Sequence, residues 1–214
     1  MNNDPSQEAR FCCCCGGPLE QRWLDAEQRH RLACARCGYV HYRNPHVLVA
    51  AMITHGDRIL MCRRAHEPAA GLWSTPTGFV EEHETLEQAT VRELYEETGV
   101  RVDPDTLILH TIANLPFISE VYVTFRATVD HTDLHCGHEC LDVRFFEPDE
   151  IPWDSLAYGA MIGYLKLFLR EMASNQFGVH VGHVDLQGKS RRTYELLAIG
   201  EKQYSSGAKP AGTR

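Results

Sequence analysis

Three carboxylates stand close together at Glu93, Glu96 and Glu97, spaced i, i+3 and i+4. On a helix that spacing puts them on one face, within an arc of roughly 100°. Like charges so placed repel by a few tenths of a kcal/mol per pair, so the arrangement calls for a compensating cation. Carboxylate oxygens are hard donors and suit Mg²⁺ or Mn²⁺. A solvated acidic helix face is the alternative for an isolated cluster of this kind. Cysteines make a second constellation. Cys12 and Cys15 form one Cys-x2-Cys pair followed by Gly16, and Cys34 and Cys37 form another followed by Gly38, after eighteen intervening residues. Two such knuckles match a tetrahedral Cys₄ zinc site of the ribbon type, structural because protein fills all four ligand places. A disulfide framework and a redox pair are the other readings of paired cysteines; nothing here suggests secretion. Cys13 and Cys14 are left as spare thiols.

The elements that must position these groups are legible in outline. Thr85 to Thr98 contains no Gly or Pro and is rich in Glu, Leu, Gln and Arg, which predicts a helix stopped by Gly99. A glycine turn at Gly78 precedes it. His46 to Thr54 and Arg58 to Arg64 are apolar runs joined at His55-Gly56-Asp57, a hairpin signal. Thr106 to Ala113, Phe117 to Val129 and Leu141 to Phe146 follow as strands, the second alternating at Val121, Val123 and Phe125. Ser155 to Ala173 is amphipathic at helical spacing, with Tyr158, Met161, Ile162, Leu165, Phe168, Leu169 and Met172 on its apolar stripe. Phe177 to Leu186 is expected to dock as an extended strand, and the chain from Tyr204 onward has the composition of a disordered tail. The expected division is a zinc ribbon over 1–45, an α/β domain over 46–173 and a partly disordered extension over 174–214.

Composition narrows the function. Residues 46–173 carry twenty-one acidic against nine basic side chains, which argues against a nucleic-acid track within the domain. The longest apolar run, Val47 to Ile53, has seven residues and cannot span a membrane. The polar N-terminus lacks a secretory pattern, so a cytoplasmic location is expected. His83, His180 and His183 are read as exposed or structural. The loop His131 to Cys140 holds soft ligands, but at spacing too irregular to predict a second zinc.

The whole string around the carboxylates reads G-x5-E-x7-R-E-L-x-E-E-x-G-V: Gly78, Glu84, Arg92, Glu93, Leu94, Glu96, Glu97, Gly99 and Val100. With every specified position in register, the chain resembles a Nudix hydrolase carrying an N-terminal zinc ribbon. The resemblance implies a mixed-sheet α/β/α sandwich and metal-dependent hydrolysis of a nucleoside diphosphate linked to another group. It implies that Glu93, Glu96 and Glu97 hold Mg²⁺ or Mn²⁺, with Glu84 and the Gly78 carbonyl contributing, so that the diphosphate oxygens are polarised and the attacking water ionised. Arg92, expected on a different side of the helix, would orient a box glutamate by a charge-assisted hydrogen bond. Among relatives the general base is a box glutamate or a carboxylate from a later loop, and Glu139 stands where the latter is expected. A homodimer is also compatible with the family.

The box is silent on the group attached to the diphosphate. NADH diphosphatases with a ribbon carry a Ser-Gln-Pro-Trp-Pro-Phe-Pro run after the box, and here Asn114-Leu115-Pro116-Phe117-Ile118-Ser119 stands instead. The chain is more similar to plant-type FAD and ADP-ribose diphosphatases, from Phe11 through Leu72-Trp73, Pro76 and the box to Asp149-Glu150-Ile151-Pro152-Trp153-Asp154-Ser155-Leu156-Ala157-Tyr158. Thr77 and His83 replace glycines common in the family. The expected substrate is therefore FAD or ADP-ribose, cleaved with release of AMP. Pro116 is a cue for ADP-ribose; Trp73, Phe117, Tyr122 and Trp153 are candidates to stack a flavin or adenine, with core packing the alternative for each. NADH or RNA-cap hydrolysis, and a nucleotide-sensing or nucleic-acid-binding regulator, are the alternatives.

Overall fold

The computed structural model describes residues 9–186 and 194–200 of the 214-residue chain. The expected disordered tail lies outside the described residues. Two compact units divide at Pro45 and His46.

The first unit is a three-stranded antiparallel sheet in the order β1 (Leu19–Leu24), β2 (Arg29–Cys34), β3 (Val40–His41). It has almost no apolar interior. Its buried side chains are Cys12, Ala33 and Cys34, whereas Trp23 and Tyr42 remain 47% and 53% exposed. So little burial cannot offset the entropy of ordering the chain, and the cysteines must supply what the core does not.

The second unit is a sheet of β4 (His46–His55), β5 (Arg58–Arg64), β6 (Trp73–Ser74), β7 (Thr77–Phe79), β8 (Ile108–Leu115), β9 (Glu120–Thr128), β10 (Cys140–Phe146), β11 (His180–Leu186) and β12 (Tyr194–Gly200). Its main path runs β10-β5-β4-β9-β8-β11-β12, with β6 on β5 and β7 on β4. The β4·β9 and β8·β11 pairs are parallel and the others antiparallel, so the sheet is mixed. Two helices, α1 (Leu86–Thr98) and α2 (Gly159–Ser174), cover it. Successive strand residues face opposite ways, and the cores follow that alternation. Ala51, Ile53 and Leu60 pack with Leu94 of α1 and with Val100. Met52, Ile59 and Met61, the intervening residues, pack with Trp73 and with Leu165 and Phe168 of α2. The result is the expected α/β/α sandwich.

Two boundaries moved for local reasons. Pro104–Thr106 and Pro116–Ile118 form 3₁₀ turns, and Pro116 has no N–H to give a ladder, so β9 begins at Glu120 rather than Phe117. The second helix begins at Gly159 rather than Ser155, because Leu156 is extended and bridges Trp73 while the Ala157 amide donates to the Trp73 carbonyl at 2.8 Å. Among the described residues no helix is long and apolar enough to cross a membrane.

Candidate active site

Helix α1 is fixed at both ends before any ligand is considered. The Thr85 hydroxyl accepts the Gln88 amide at 3.2 Å, and Gln88 Oε1 accepts the Thr85 amide at 2.8 Å, a reciprocal cap. Gly99 closes the helix at φ 72°, donating its amide to the Tyr95 carbonyl at 2.8 Å. On this frame the three glutamates descend into the protein by degrees: Glu96 is exposed, Glu93 half-buried and Glu97 buried.

Arg92 ties the two outer ones to Glu84. Its guanidinium donates to Glu84 (Nε at 3.0 Å and Nη2 at 2.7 Å), to Glu93 Oε1 at 2.7 Å, to Glu96 Oε2 at 3.2 Å and to the Phe79 carbonyl at 2.9 Å. Arg92 is expected on a different side of the helix, orienting a box glutamate by a charge-assisted hydrogen bond; its long side chain reaches back across the cluster to make such bonds. Glu84 also accepts the Glu81 amide at 2.6 Å, and Arg92 holds its carboxyl below the usual range. Glu93 behaves oppositely: burial raises it despite Arg92, with the charges of Glu96 and Glu139 adding to the rise.

Gly78 was expected as a turn residue and is instead part of β7, paired with Val49. The reason for glycine is close approach. A Cβ at this position would fall within the Glu93 carboxyl group. The box thus brings a bare strand backbone against a half-buried carboxylate.

Glu97 points under β7. The Thr77 amide donates to its Oε2 at 3.1 Å, and the Cys62 thiol to the same oxygen at 3.4 Å. Burial pushes its carboxyl up to about 7, while Cys62, the Thr77 amide and the charge of Arg64 pull the other way. Cys140, opening β10, joins Cys62 and Glu97 in one buried group. Sequence reasoning missed Cys62 and Arg64. Cys62 sits in an apolar strand run and carries no signal there; a basic side chain ending a strand of an acidic domain was the available hint for Arg64. Arg64 lies over the Tyr158 ring at 5.7 Å from guanidinium to centroid.

The loop before β10 docks on the end of α1 through the His135 amide to the Thr98 carbonyl at 2.8 Å and the Gly137 amide to the Glu97 carbonyl at 3.1 Å. Glu139 follows on that loop, exposed, with His138 Nε2 at 3.7 Å. Its charge is felt at Glu93, which places its field, though not a contact, in the cluster. His83 is an exposed turn residue at φ 72°, the left-handed conformation that glycine adopts without strain.

The four aromatic candidates separate. Trp73 is 8% exposed, edge-on to Phe146 at 4.8 Å, with Arg144 over its ring at 5.1 Å. Trp73 thus packs in the core, the second of the two fates the sequence allows it. Trp153 packs on the same core with Lys166 over it at 5.5 Å. Phe117 and Tyr122 are half-buried together above Ala113 and Leu115, beside exposed Pro116. Burial, helped by Glu120, pushes the Tyr122 phenol up.

In the first unit the four expected thiols converge, with all sulfurs within 4.8 Å of one another. Cys12 and Cys37 are 3.7 Å apart and Cys15 and Cys34 3.5 Å. Each knuckle aims amides at sulfur: Cys14 at Cys12 (3.3 Å), Gly17 at Cys15 (3.4 Å), Arg36 and Cys37 at Cys34 (both 3.4 Å). The Cys37 amide leads the effects that bring the Cys34 thiol down to about 6. Gly16 and Gly38 turn each knuckle at φ 68° and 76°. Cys13 and Cys14 are exposed and outside the group. Four thiolate donors fit zinc.

Donor chemistry fits a cation at α1 as well. Glu84, Glu93 and Glu96 share the guanidinium of Arg92, Glu97 feels the charge of Arg64, and Glu139 adds its charge at Glu93, an excess of hard oxygen donors.

A family model described as the NUDIX domain matches residues 43–166, and one described as Nudix N-terminal, a zinc ribbon, matches residues 10–43. The chain is 33% identical over 144 residues to the NAD-capped RNA hydrolase NudC of Stutzerimonas stutzeri, covering 67% of this chain and 50% of that protein. Its identity to the protein of the same name from Chromobacterium violaceum is also 33% over 144 residues, covering 67% and 52%. The chain spans about half the length of these curated relatives. A crystal structure of a NUDIX hydrolase from Nitrosomonas europaea superposes with a TM-score of 0.78 at 36% identity, covering 83% of this chain and all of that one. The curated relatives carry the name NAD-capped RNA hydrolase, where the sequence reading expected plant-type FAD and ADP-ribose diphosphatase.

Proposed function

The chain belongs to the Nudix family, and on that premise we propose that its second unit hydrolyses the diphosphate bridge of an adenosine-containing dinucleotide, free or at the 5′ end of an RNA. The observation that carries this reading is the convergence of Glu84, Glu93 and Glu96 on Arg92 beside the bare backbone of Gly78, with Glu97 anchored beneath. Glu93, Glu96, Glu97, Glu84 and the Gly78 carbonyl would hold Mg²⁺ or Mn²⁺. A bound dication supplies Lewis-acid polarisation of the phosphoryl oxygens and a lower pKa for the attacking water. Arg92 is a positioning residue, since its donors are spent on box carboxylates and a carbonyl. Glu139, exposed on a loop within electrostatic reach of Glu93, is the candidate general base. Arg64 is a candidate contact for the diphosphate, as a cation whose field reaches both Glu97 and Tyr122. Phe117, Tyr122 and Pro116 are candidates to bind the attached group.

The names of the relatives favour an NAD-type dinucleotide, including one that caps RNA. Residues 10–43 support an RNA tail, with six Arg against three acidic side chains, against the unfavourable charge of residues 46–173. A specific observation supports FAD or ADP-ribose as the second reading: the Ser-Gln-Pro-Trp-Pro-Phe-Pro run of the NADH diphosphatases is replaced by Asn114 to Ser119, which forms the Pro116–Ile118 turn.

The test is a panel of NADH, NAD-capped RNA, ADP-ribose and FAD incubated with Mg²⁺. Release of AMP with reduced nicotinamide mononucleotide from NADH, of nicotinamide mononucleotide from the capped RNA, or of AMP from the last two, is expected to rank them. Glu96→Gln and Glu97→Gln should abolish turnover of whichever is used. No turnover of any of the four by metal-loaded protein would overturn the hydrolase reading in favour of a sensor.

A further inference from the structure

Away from the carboxylates of α1, three side chains from three elements converge in the second unit. His110 of β8 is fully buried, His180 at the start of β11 is 7% exposed, and Glu171 in the last turn of α2 is 9% exposed. His110 Nε2 lies 2.7 Å from Glu171 Oε2, and His180 Nε2 lies 2.7 Å from Glu171 Oε1. All three ligand atoms fall within 4.8 Å of one another. We propose that His110, Glu171 and His180 form a second transition-metal site, a buried His₂Glu cluster that takes Zn²⁺ and fastens β11 to the sheet.

The donor set selects the class of ion. Two imidazole nitrogens and one carboxylate suit Zn²⁺ and its neighbours, whereas Mg²⁺ prefers oxygens alone. Burial lowers His110 below its ordinary value. Burial also acts to raise Glu171, but the two imidazoles and the Gly178 amide outweigh it and hold the carboxyl below the usual range. The carboxyl group thus sits in a nearly dry site with an imidazole nitrogen 2.7 Å from each oxygen, and a buried charge there needs compensation.

Exchanging the hydrogen bonds for metal bonds moves one proton across the His110 ring. His110 Nδ1 has no hydrogen-bond partner. When Nε2 gives up its proton to become a ligand, that proton passes to Nδ1 and leaves a buried N–H without an acceptor, a cost that the metal bonds have to offset. The chain also wraps tightly here. Gly178 donates its amide to Glu171 Oε1 at 3.0 Å, and a Cβ at Gly178 would come within 3.2 Å of His180 Nε2. Phe168 and Phe177 wall the His110 ring at 5.4 and 6.5 Å between centroids. Arg126, stacked 4.1 Å from the centre of Phe177, exerts an opposing charge at His110 and limits how tightly a dication is held. The metal would bridge residues far apart in sequence, at the point where β11 pairs with β8 (His180 with Thr111 through His183 with Asn114).

The test uses the full chain, stripped of metal, reloaded with Zn²⁺ in an excess of Mg²⁺ that occupies the carboxylates of α1. Metal is counted per chain, and the zinc shell is read by X-ray absorption. Two zinc ions are expected, with a mixed shell of sulfur and imidazole scattering. Glu171→Gln preserves the shape of the carboxyl group and His180→Gln alters a residue near the surface of the cluster; each should lose one equivalent and the imidazole signal while the sulfur shell stays. Circular dichroism melting checks that both variants fold. An all-sulfur shell with one zinc per chain would overturn the proposal and leave the cluster as a hydrogen-bonded clamp. So would an imidazole signal unchanged in both folded variants, because the ion would then lie elsewhere.

Discussion

The ribbon and helix α1 both gather ligand atoms, but one does so in place of a core and the other on top of one. In the ribbon, two of the three buried apolar side chains belong to the four-thiol group itself, Cys12 and Cys34, and the aromatic side chains lie outside. Helix α1 is capped at both ends, seats Ala89 and Leu94 at zero exposure, and has two of its box carboxylates, with Glu84 just before it, paired to Arg92. On the proposed reading metal would play different parts in the two units. In the first it would make the fold worth forming; in the second it would be a reagent held by an already folded scaffold.

The largest expected effect tests that contrast directly. Structural zinc contributes on the order of 10 kcal/mol or more to small Cys₄ modules. Chelation should abolish hydrogen-exchange protection across β1, β2 and β3 and leave β4, β5 and β9 protected. Ribbon amides that stay protected without zinc would show an independent core and dissolve the comparison.

At α1 the same logic predicts activity lost without stability lost. Glu96→Gln should lower kcat by about 10²-fold or more with the melting temperature nearly unchanged. Should Glu96→Gln unfold the domain, the carboxylates would be structural after all. Glu97→Gln sharpens the point, because its carboxyl is raised by burial to about 7 from an ordinary 4.5. A raised carboxyl stabilises fully below the unfolded value and loses that contribution as pH climbs through the folded one. Metal-free protein is thus expected to lose about 3 kcal/mol of stability between pH 4.5 and 8, and Glu97→Gln to flatten that dependence. Denaturant melts in EDTA across that range give the comparison, and stability rising with pH in the wild type would contradict it.

Gly78→Ala comes next. Its Cβ would occupy the space of the Glu93 carboxyl, so kcat should fall by roughly 10²-fold through misplacement of Glu93, with about 1–3 kcal/mol lost to overpacking. Wild-type kinetics in this variant would mean that Glu93 works from another position. The smallest effect is Thr85→Ala, which removes the helix cap: about 1 kcal/mol in denaturant melts, with activity retained. A collapse of activity there would show that α1 leans on its cap more than on its packing.

How much was legible follows the range of the interactions. Both Cys-x2-Cys-Gly knuckles, the helix with its glycine stop, and the β4–β5 hairpin at Gly56 are local, and residues a few positions apart carry the whole signal. The starts of β9 and α2 were misread because their deciding partners, Pro116 within its turn and the backbone of Trp73, act through conformation and contact rather than composition. The role of Gly78 was misread for a related reason. A glycine demanded by close approach looks in the sequence like a glycine demanded by a turn.

The sequence by itself determined the family, the four thiols that gather in the ribbon and the helix that bears the carboxylates, since each depends on spacing along one segment. Tertiary structure alone decided the electrostatic character of each glutamate, from exposed Glu96 to buried Glu97 beside Cys62 and Thr77. It alone brought His110, Glu171 and His180 together from β8, α2 and β11. The physical reason is desolvation. Burial sets the cost of a charge, and which side chains are buried together is fixed by how strands and helices pack, which no single segment records.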